Sequence, residues 1–131
     1  MRMSVRLLVS AFIFTATACG SSTGTTYGGG STPTCTPAGT KVCMANILFN
    51  PSALNVAAGA TVTWQNADGV DHTTTSNPSN PTGCPTWDNS VLSGATSGGV
   101  SFPTSGVTCQ YYCKIHATPT TGNMRATVMV Q

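Results

Sequence analysis

Short segments rich in Val, Thr and aromatic residues follow one another from residue 41 onward, and none has the apolar spacing of a helix. Gly, Pro and Asn separate these segments, which is typical of strands joined by turns. Several short strands at this spacing predict an all-β fold in which two sheets pack face to face as a sandwich. The predicted strands cover residues 41–48, 60–65, 71–76, 98–102, 107–114 and 124–130, with a further strand over 53–57.

Alternation along two of these strands predicts which side chains point into the sandwich, because successive residues of a strand face opposite ways. Tyr111 and Cys113 share one face of their strand, and Met124, Ala126 and Val128 share one face of the last strand. Cys113 and Met124 are therefore expected to lie on the inward, apolar side.

The chain has two histidines, His72 and His116, and the second lies close to sulfur-bearing residues. Cys113 stands three residues before His116, and Met124 stands eight residues after it. Two His and one Cys with a weak axial Met form the ligand set of blue-copper electron-transfer sites. We therefore predict that His72, Cys113, His116 and Met124 bind one copper ion. Because His72 belongs to a separate strand, we expect it to connect the two sheets.

Other interpretations of these residues stay open at the level of sequence. A Cys-x-x-His pair could bind zinc, although four-coordinate zinc sites usually lack methionine. Met124 could simply pack in the core. Cys109 could bind the metal while Cys113 forms a disulfide, but only Cys113 has a histidine three residues later.

The N-terminal residues 1–18 are predicted to be an export signal. Arg2 and Arg6 precede an apolar run that is too short to span a bilayer as a helix, and small residues end it. Cys19 follows at once, and Cys19-Gly-Ser-Ser after small residues resembles the cleavage box of bacterial lipoproteins, in which the cysteine carries the lipid. The alternative is ordinary signal cleavage after Ala18, which would leave Cys19 unmodified.

Residues 20–34 consist mainly of Gly, Ser and Thr and are predicted to be a flexible tether with a reach of about 20 Å. We therefore divide the chain into a signal (1–18), a lipoprotein cysteine with its linker (19–34) and one domain (35–131). This organisation predicts an exported protein of the bacterial cell envelope or periplasm, held at the membrane by a lipid anchor.

Four cysteines remain for disulfides once Cys19 is assigned to lipid and Cys113 to metal. An even number in an oxidising compartment predicts two bonds, and four cysteines allow three pairings. We favour one bond at the start of the domain and one that fastens the long loop to the strand that carries Cys113. The favoured pairs are Cys35 with Cys43 and Cys84 with Cys109.

Charge excludes some classes of partner. Beyond the signal, three basic residues balance three acidic ones. The sequence has no stripe of basic residues, so we do not expect nucleic acid as a partner. We expect docking through apolar contacts and a monomeric protein. The three acidic residues are interpreted as solvated turn residues. They are Asp68, Asp71 and Asp88.

Sequence stretches across residues 42–131 resemble the cupredoxins of the plastocyanin and azurin type. The resemblance is carried by Phe49-Asn-Pro51, by residues 59–68 with His72-Thr73, by Trp87–Leu92 with Gly94 and Phe102, by residues 106–113 with His116, and by residues 124–130. It implies a Greek-key β-sandwich of about seven to eight strands with one type 1 copper ion near one end. It also implies an intense blue colour, and His116 as the exposed ligand near which a redox donor and acceptor dock.

This chain departs from that family in two places near the metal. The loop from His116 to Met124 is longer than in plastocyanin, and Asn123 stands where many members have Gly. Thr73 follows His72, where plastocyanin and azurin have Asn. Both differences concern groups that orient the ligands and thereby tune a metal.

Three functions fit these observations. The first is a one-electron carrier between redox partners at the cell envelope, and the second is a copper-delivery protein with an exchangeable ion. The third is an adhesion or structural module without metal, which the four intact ligands disfavour. We expect no enzymatic activity, because a copper oxidase or nitrite reductase needs further histidines and a Ser-His-Asp set would consume a proposed ligand.

Overall fold

A computed structural model describes residues 34–131 of the chain. The predicted export signal, Cys19 and nearly all of the tether lie outside the described residues. Within residues 34–131, no helix is long and apolar enough to cross a membrane.

Within residues 34–131, nine strands form two sheets, which confirms the predicted all-β sandwich. The first sheet has the strand order β2-β1-β4-β7, and the second has the order β3-β9-β8-β5-β6. The strands are β1 (Lys41–Ala45), β2 (Leu48–Asn50), β3 (Ala53–Val56), β4 (Ala60–Asn66), β5 (His72–Ser76), β6 (Asp88–Val91), β7 (Val100–Phe102), β8 (Thr108–Tyr112) and β9 (Arg125–Val130).

The segment 41–48, which we predicted as one strand, contains a tight turn that starts a hairpin. β1 and β2 pair antiparallel, with Ala45 opposite Leu48. The two residues between them, Asn46 and Ile47, have φ values of 55° and 60°. Hairpin turns of this left-handed kind favour Asn followed by Gly, and a β-branched residue in the second place is uncommon, so Asn46-Ile47 is only half of the usual turn signal. The carboxylate of Asp68 accepts the backbone N–H groups of both turn residues and so holds the turn.

Strand β6 was not predicted from the pattern, because Asp, Asn and Ser are depleted in strands. It pairs antiparallel with β5, and this places Val91 opposite His72 and Asp88 opposite Thr75. The Thr75 hydroxyl donates a hydrogen bond of 2.8 Å to the Asp88 carboxylate. Tertiary pairing therefore outweighs low intrinsic propensity at this edge.

The core between the sheets is built on an aromatic cluster. Trp64 stacks on Trp87 with ring centroids 5.8 Å apart, and Tyr111 meets Trp64 edge to face at 5.4 Å. Such pairs contribute about 0.5–1.5 kcal/mol each beyond burial of their surface. The residues that we predicted to face inward are buried, namely Tyr111, Cys113, Met124, Ala126 and Val128.

Two disulfides close loops of very different length. Cys35 bonds to Cys43 across 8 residues, and Cys84 bonds to Cys109 across 25 residues, which is the pairing that we favoured. Among the described residues, Cys113 is the free cysteine, and its thiol is buried. Cys109 therefore has no thiol to offer a metal, whereas Cys113 has.

Candidate metal centre

The side chains of His72, Cys113 and His116 converge at one end of the sandwich. The two Nδ1 atoms lie 3.2 Å apart, and the Cys113 Sγ lies 3.8 Å from the Nδ1 of His72 and 3.5 Å from that of His116. The three distances form a triangle, and the point equidistant from its corners lies about 2.0 Å from each atom. This distance is close to a typical metal–nitrogen bond length and somewhat shorter than a typical metal–sulfur bond length. The three donors are therefore placed to bind one metal ion together.

Two neighbouring strands of the same sheet carry the buried pair of donors. His72 is the first residue of β5, and Cys113 directly follows β8. β5 and β8 pair antiparallel, with Thr75 opposite Tyr112. Our expectation that His72 connects the two sheets was wrong, because β5 and β8 are neighbours in one sheet and their register brings both donors to the same end of it.

A short turn returns His116 to Cys113. The Cys113 carbonyl accepts hydrogen bonds from the backbone N–H groups of His116 at 3.2 Å and Ala117 at 2.9 Å. Met124 lies beside this turn, because its carbonyl accepts the N–H of Cys113 at 3.0 Å. Its side chain is wholly buried and belongs to the same core cluster as Cys113. The Cys–His turn and the Met position are thus joined through the backbone.

Thr73 supports the cysteine from the neighbouring strand. Its backbone N–H donates to the Cys113 Sγ at 3.3 Å, and its hydroxyl accepts the N–H of Lys114 at 2.8 Å. The first hydrogen bond fixes the position of the sulfur relative to β5, and the second fixes the chain just after Cys113. Thr73 therefore links both donor-bearing segments, although it replaces the Asn of plastocyanin and azurin.

Asp68 fixes the ring of His72. Its Oδ2 lies 2.8 Å from the His72 Nε2, and a carboxylate accepts, so this nitrogen carries the proton and Nδ1 presents its lone pair to the other donors. Burial opposes ionisation of Asp68, but hydrogen bonds from Ile47, His72 and Asn46 hold its pKa below the usual value.

The interpretation of Asp68 as a solvated turn residue was therefore wrong, because only 15% of its side chain is exposed. Asp68 stands four residues before His72, so the two are near each other in the sequence. That spacing alone does not predict the contact, because the contact depends on how the chain turns between β4 and β5.

The two histidines differ in exposure. His72 is buried, whereas His116 is half-buried and borders a surface depression with Ile47, Leu48 and Asn123. The side chains of Ile47 and Leu48 are 44% and 46% exposed. The site therefore reaches solvent through His116, and exposed apolar side chains lie beside that point.

Gly122 allows the long loop before Met124 to close against His116. Its φ is +96°, and an added Cβ would lie 2.8 Å from the Ala117 Cα and 3.0 Å from the His116 carbonyl oxygen. Gly122→Ala is expected to lower the free energy of unfolding of the metal-free protein by more than the about 1–2 kcal/mol of left-handed strain, because the loop must also move. Denaturant titration measures this loss.

Gly94→Ala is the matched control for that prediction. Gly94 also has a positive φ, of +77°, but an added Cβ would have no atom within 4 Å. Its loss should therefore reflect backbone strain alone. Equal losses in the two variants would contradict the contact between Gly122 and the His116 segment.

Comparison with known proteins supports the fold. No family model and no curated protein matches the chain. Among solved structures, a purple cupredoxin from Nitrosopumilus maritimus is 24% identical, with a TM-score of 0.56 over 70% of this chain and 98% of that one. An oxidised amicyanin variant is 22% identical, with a TM-score of 0.59 over 74% of this chain and 86% of that one. The chain therefore has the cupredoxin fold, as the sequence resemblance implied.

Proposed function

We propose that this protein is a type 1 copper protein that carries single electrons between redox partners. The observation that carries the proposal is the convergence of two imidazole Nδ1 atoms and one buried thiol within 4.8 Å of one another. Solved amicyanin structures of the same fold include Cu(I) forms. The donor set, two nitrogens and one soft sulfur, is the one that copper prefers in such sites.

His72, Cys113 and His116 would hold the ion, and Met124 would supply the axial thioether. Copper, when bound, supplies a centre that gains and loses one electron. The residues of the chain keep the donors fixed, since the ring of His72 and the sulfur of Cys113 are each held by a hydrogen bond from outside the set. Donors that are fixed in this way move little, and fast electron transfer requires this.

Electrons would enter and leave through His116, because it is the proposed copper ligand that reaches the surface. Ile47, Leu48 and Ile115 are exposed apolar residues, and the first two line the depression beside His116. A redox donor and acceptor would dock there through apolar contacts. With balanced charges in residues 19–131, we expect association rates that vary little with ionic strength.

We place the protein at the bacterial cell envelope or in the periplasm, as a monomer held to the membrane by a lipid on Cys19. The two disulfides support an oxidising compartment. The lipid and the tether over residues 20–34 would leave the domain 35–131 free to turn between partners. Mass spectrometry of the membrane-extracted protein tests the modification of Cys19.

Copper loading tests the electron-carrier function. The purified domain is expected to bind one copper ion, to show a strong thiolate-to-copper absorption band, and to cycle reversibly by one electron in voltammetry. Zinc-loaded protein is the control, since it should show neither the band nor the cycling. Rapid loss of copper to a mild chelator without stable cycling would contradict the carrier and favour a copper-delivery protein instead.

The axial role of Met124 has its own test. Met124→Leu nearly conserves the buried volume, so the free energy of unfolding should fall by less than about 1.5 kcal/mol. The variant is expected to keep copper and the visible band but to shift the reduction potential, because the thioether is lost. Met44→Leu is the control, since Met44 is equally buried but lies on β1. An unchanged potential in Met124→Leu would refute the axial role.

A further inference from the structure

One carboxylate contacts both a proposed copper ligand and an exposed turn. The Oδ1 of Asp68 accepts the backbone N–H of Asn46 at 2.6 Å, and its Oδ2 accepts the N–H of Ile47 at 2.9 Å. The same Oδ2 lies 2.8 Å from the Nε2 of His72. Three donors from two separate segments therefore share the two oxygens of a single side chain.

The pairing of Ala45 with Leu48 closes the turn, but the backbone conformation within it is unfavourable. Asn46 and Ile47 both have left-handed backbone conformations, which a β-branched residue rarely adopts. Such a conformation persists where surrounding groups determine it. Hydrogen bonds to a charged acceptor are about twice as strong as neutral ones, so Asp68 is well suited to this role.

Asp68 is itself anchored beyond the end of β4. Its backbone N–H donates to the Asn66 Oδ1 at 2.9 Å, and its carbonyl accepts the Ser93 hydroxyl at 2.6 Å. Asn66 is fully buried and donates to the Val91 carbonyl at 3.0 Å. The carboxylate thus extends from a fixed backbone, so its two groups of partners are placed relative to each other.

We propose that Asp68 is a positioning residue that couples the His72 ring, which it holds with Nδ1 unprotonated, to the exposed Asn46–Ile47 turn. The coupling depends on the copper binding at His72 proposed above, whereas the orientation of the ring is independent of copper. Because coupling between two sites is reciprocal, a bound ion should steady the turn, and a partner that contacts the turn should change the metal site. The turn borders the depression at His116, where such a partner would sit.

The first test uses metal-free protein and therefore does not depend on the proposed function. At a pH where both imidazoles are neutral, the ¹⁵N shifts of His72 should show a single tautomer protonated on Nε2. In Asp68→Ala the two tautomers should mix. A wild-type His72 that is protonated on Nδ1, or that is an even mixture, would overturn the proposal. If Asp68→Ala does not fold, Asp68→Leu takes its place, because its side chain has a similar shape and no acceptor, and the same mixing of tautomers is expected.

The second test measures copper binding and potential. Asp68→Asn is expected to weaken Cu(II) affinity about 10- to 100-fold, the usual effect of losing a partner of a metal-bound histidine. The potential should rise, because a ligand with less negative charge behind it favours Cu(I). Asp71→Asn is the matched control, since Asp71 precedes His72 and accepts the Ser93 N–H at 2.9 Å. It removes the same charge without touching His72.

The two variants separate contact from charge. If Asp68→Asn and Asp71→Asn change affinity and potential equally, the effect is one of net charge and the positioning role is refuted. If copper does not bind to the wild type at all, the proposed function fails, and the tautomer measurement still decides the role of Asp68.

The coupling to the turn is read from amide exchange. Loading with Cu(I), which is diamagnetic, should slow exchange of the Asn46 and Ile47 amides more than exchange of the Ser93 amide, which Asp71 holds. In Asp68→Ala, which removes both acceptor oxygens, that difference should vanish. Equal slowing of all three amides in the wild type would show only global stabilisation and would overturn the coupling.

Discussion

Cys113→Ser is expected to eliminate the strong visible band of the copper-loaded protein. The band arises from charge transfer between thiolate sulfur and copper, and a buried serine hydroxyl does not ionise to replace it. Cys113 is wholly buried, and serine is nearly its size, so the fold should persist. Absorption spectra of the copper-loaded variant measure the loss, and circular dichroism of the metal-free variant checks the fold.

The outcome distinguishes between sources of sulfur. Met124→Leu, which leaves the thiolate in place, should retain the band and is the natural comparison. A band of undiminished strength in Cys113→Ser would mean that another sulfur binds the ion. Among the described residues every other cysteine is in a disulfide, so that result would contradict the assignment of the site.

Removal of the Cys84–Cys109 disulfide is expected to destabilise the domain more than any single surface change. The bond spans 25 residues, and the chain-entropy estimate for a loop of this length is about 3.5 kcal/mol. The double variant Cys84→Ala with Cys109→Ala should show this loss in denaturant unfolding of the metal-free protein. Because Cys109 lies on β8, four residues before Cys113, copper affinity should also fall.

The Cys35–Cys43 bond is the control for that experiment. It spans 8 residues, and the same estimate gives about 2.5 kcal/mol. It lies at the start of the described residues, on β1, and away from β8. A larger loss from its removal than from removal of Cys84–Cys109 would contradict the view that the long loop is what the disulfides chiefly restrain.

The inward faces of the strands could be predicted because they depend on local alternation. Tyr111, Cys113 and Met124 are buried as the pattern indicated, and the sheet does not change that parity. The grouping of His72, Cys113 and His116 followed from residue chemistry, since the chain offers so few alternatives. These features need no knowledge of long-range contacts.

Features that depend on long-range contacts could not be predicted. The Asn46–Ile47 turn is held by Asp68, which lies more than 20 residues away, and Asn46 without a following Gly is a weak turn signal. The shared sheet of His72 and Cys113 depends on the register between β5 and β8. In each case a partner distant in the sequence determines the local structure.

Strand β9 lies between β3 and β8, although it comes last among the nine. It runs parallel to β3 and pairs Ala53 with Thr127, so two segments some 70 residues apart in the chain must meet. During synthesis the second sheet therefore lacks an inner strand until residue 130 has left the ribosome. Such distant pairings make folding slow. The last residues of the domain therefore decide when the second sheet can close.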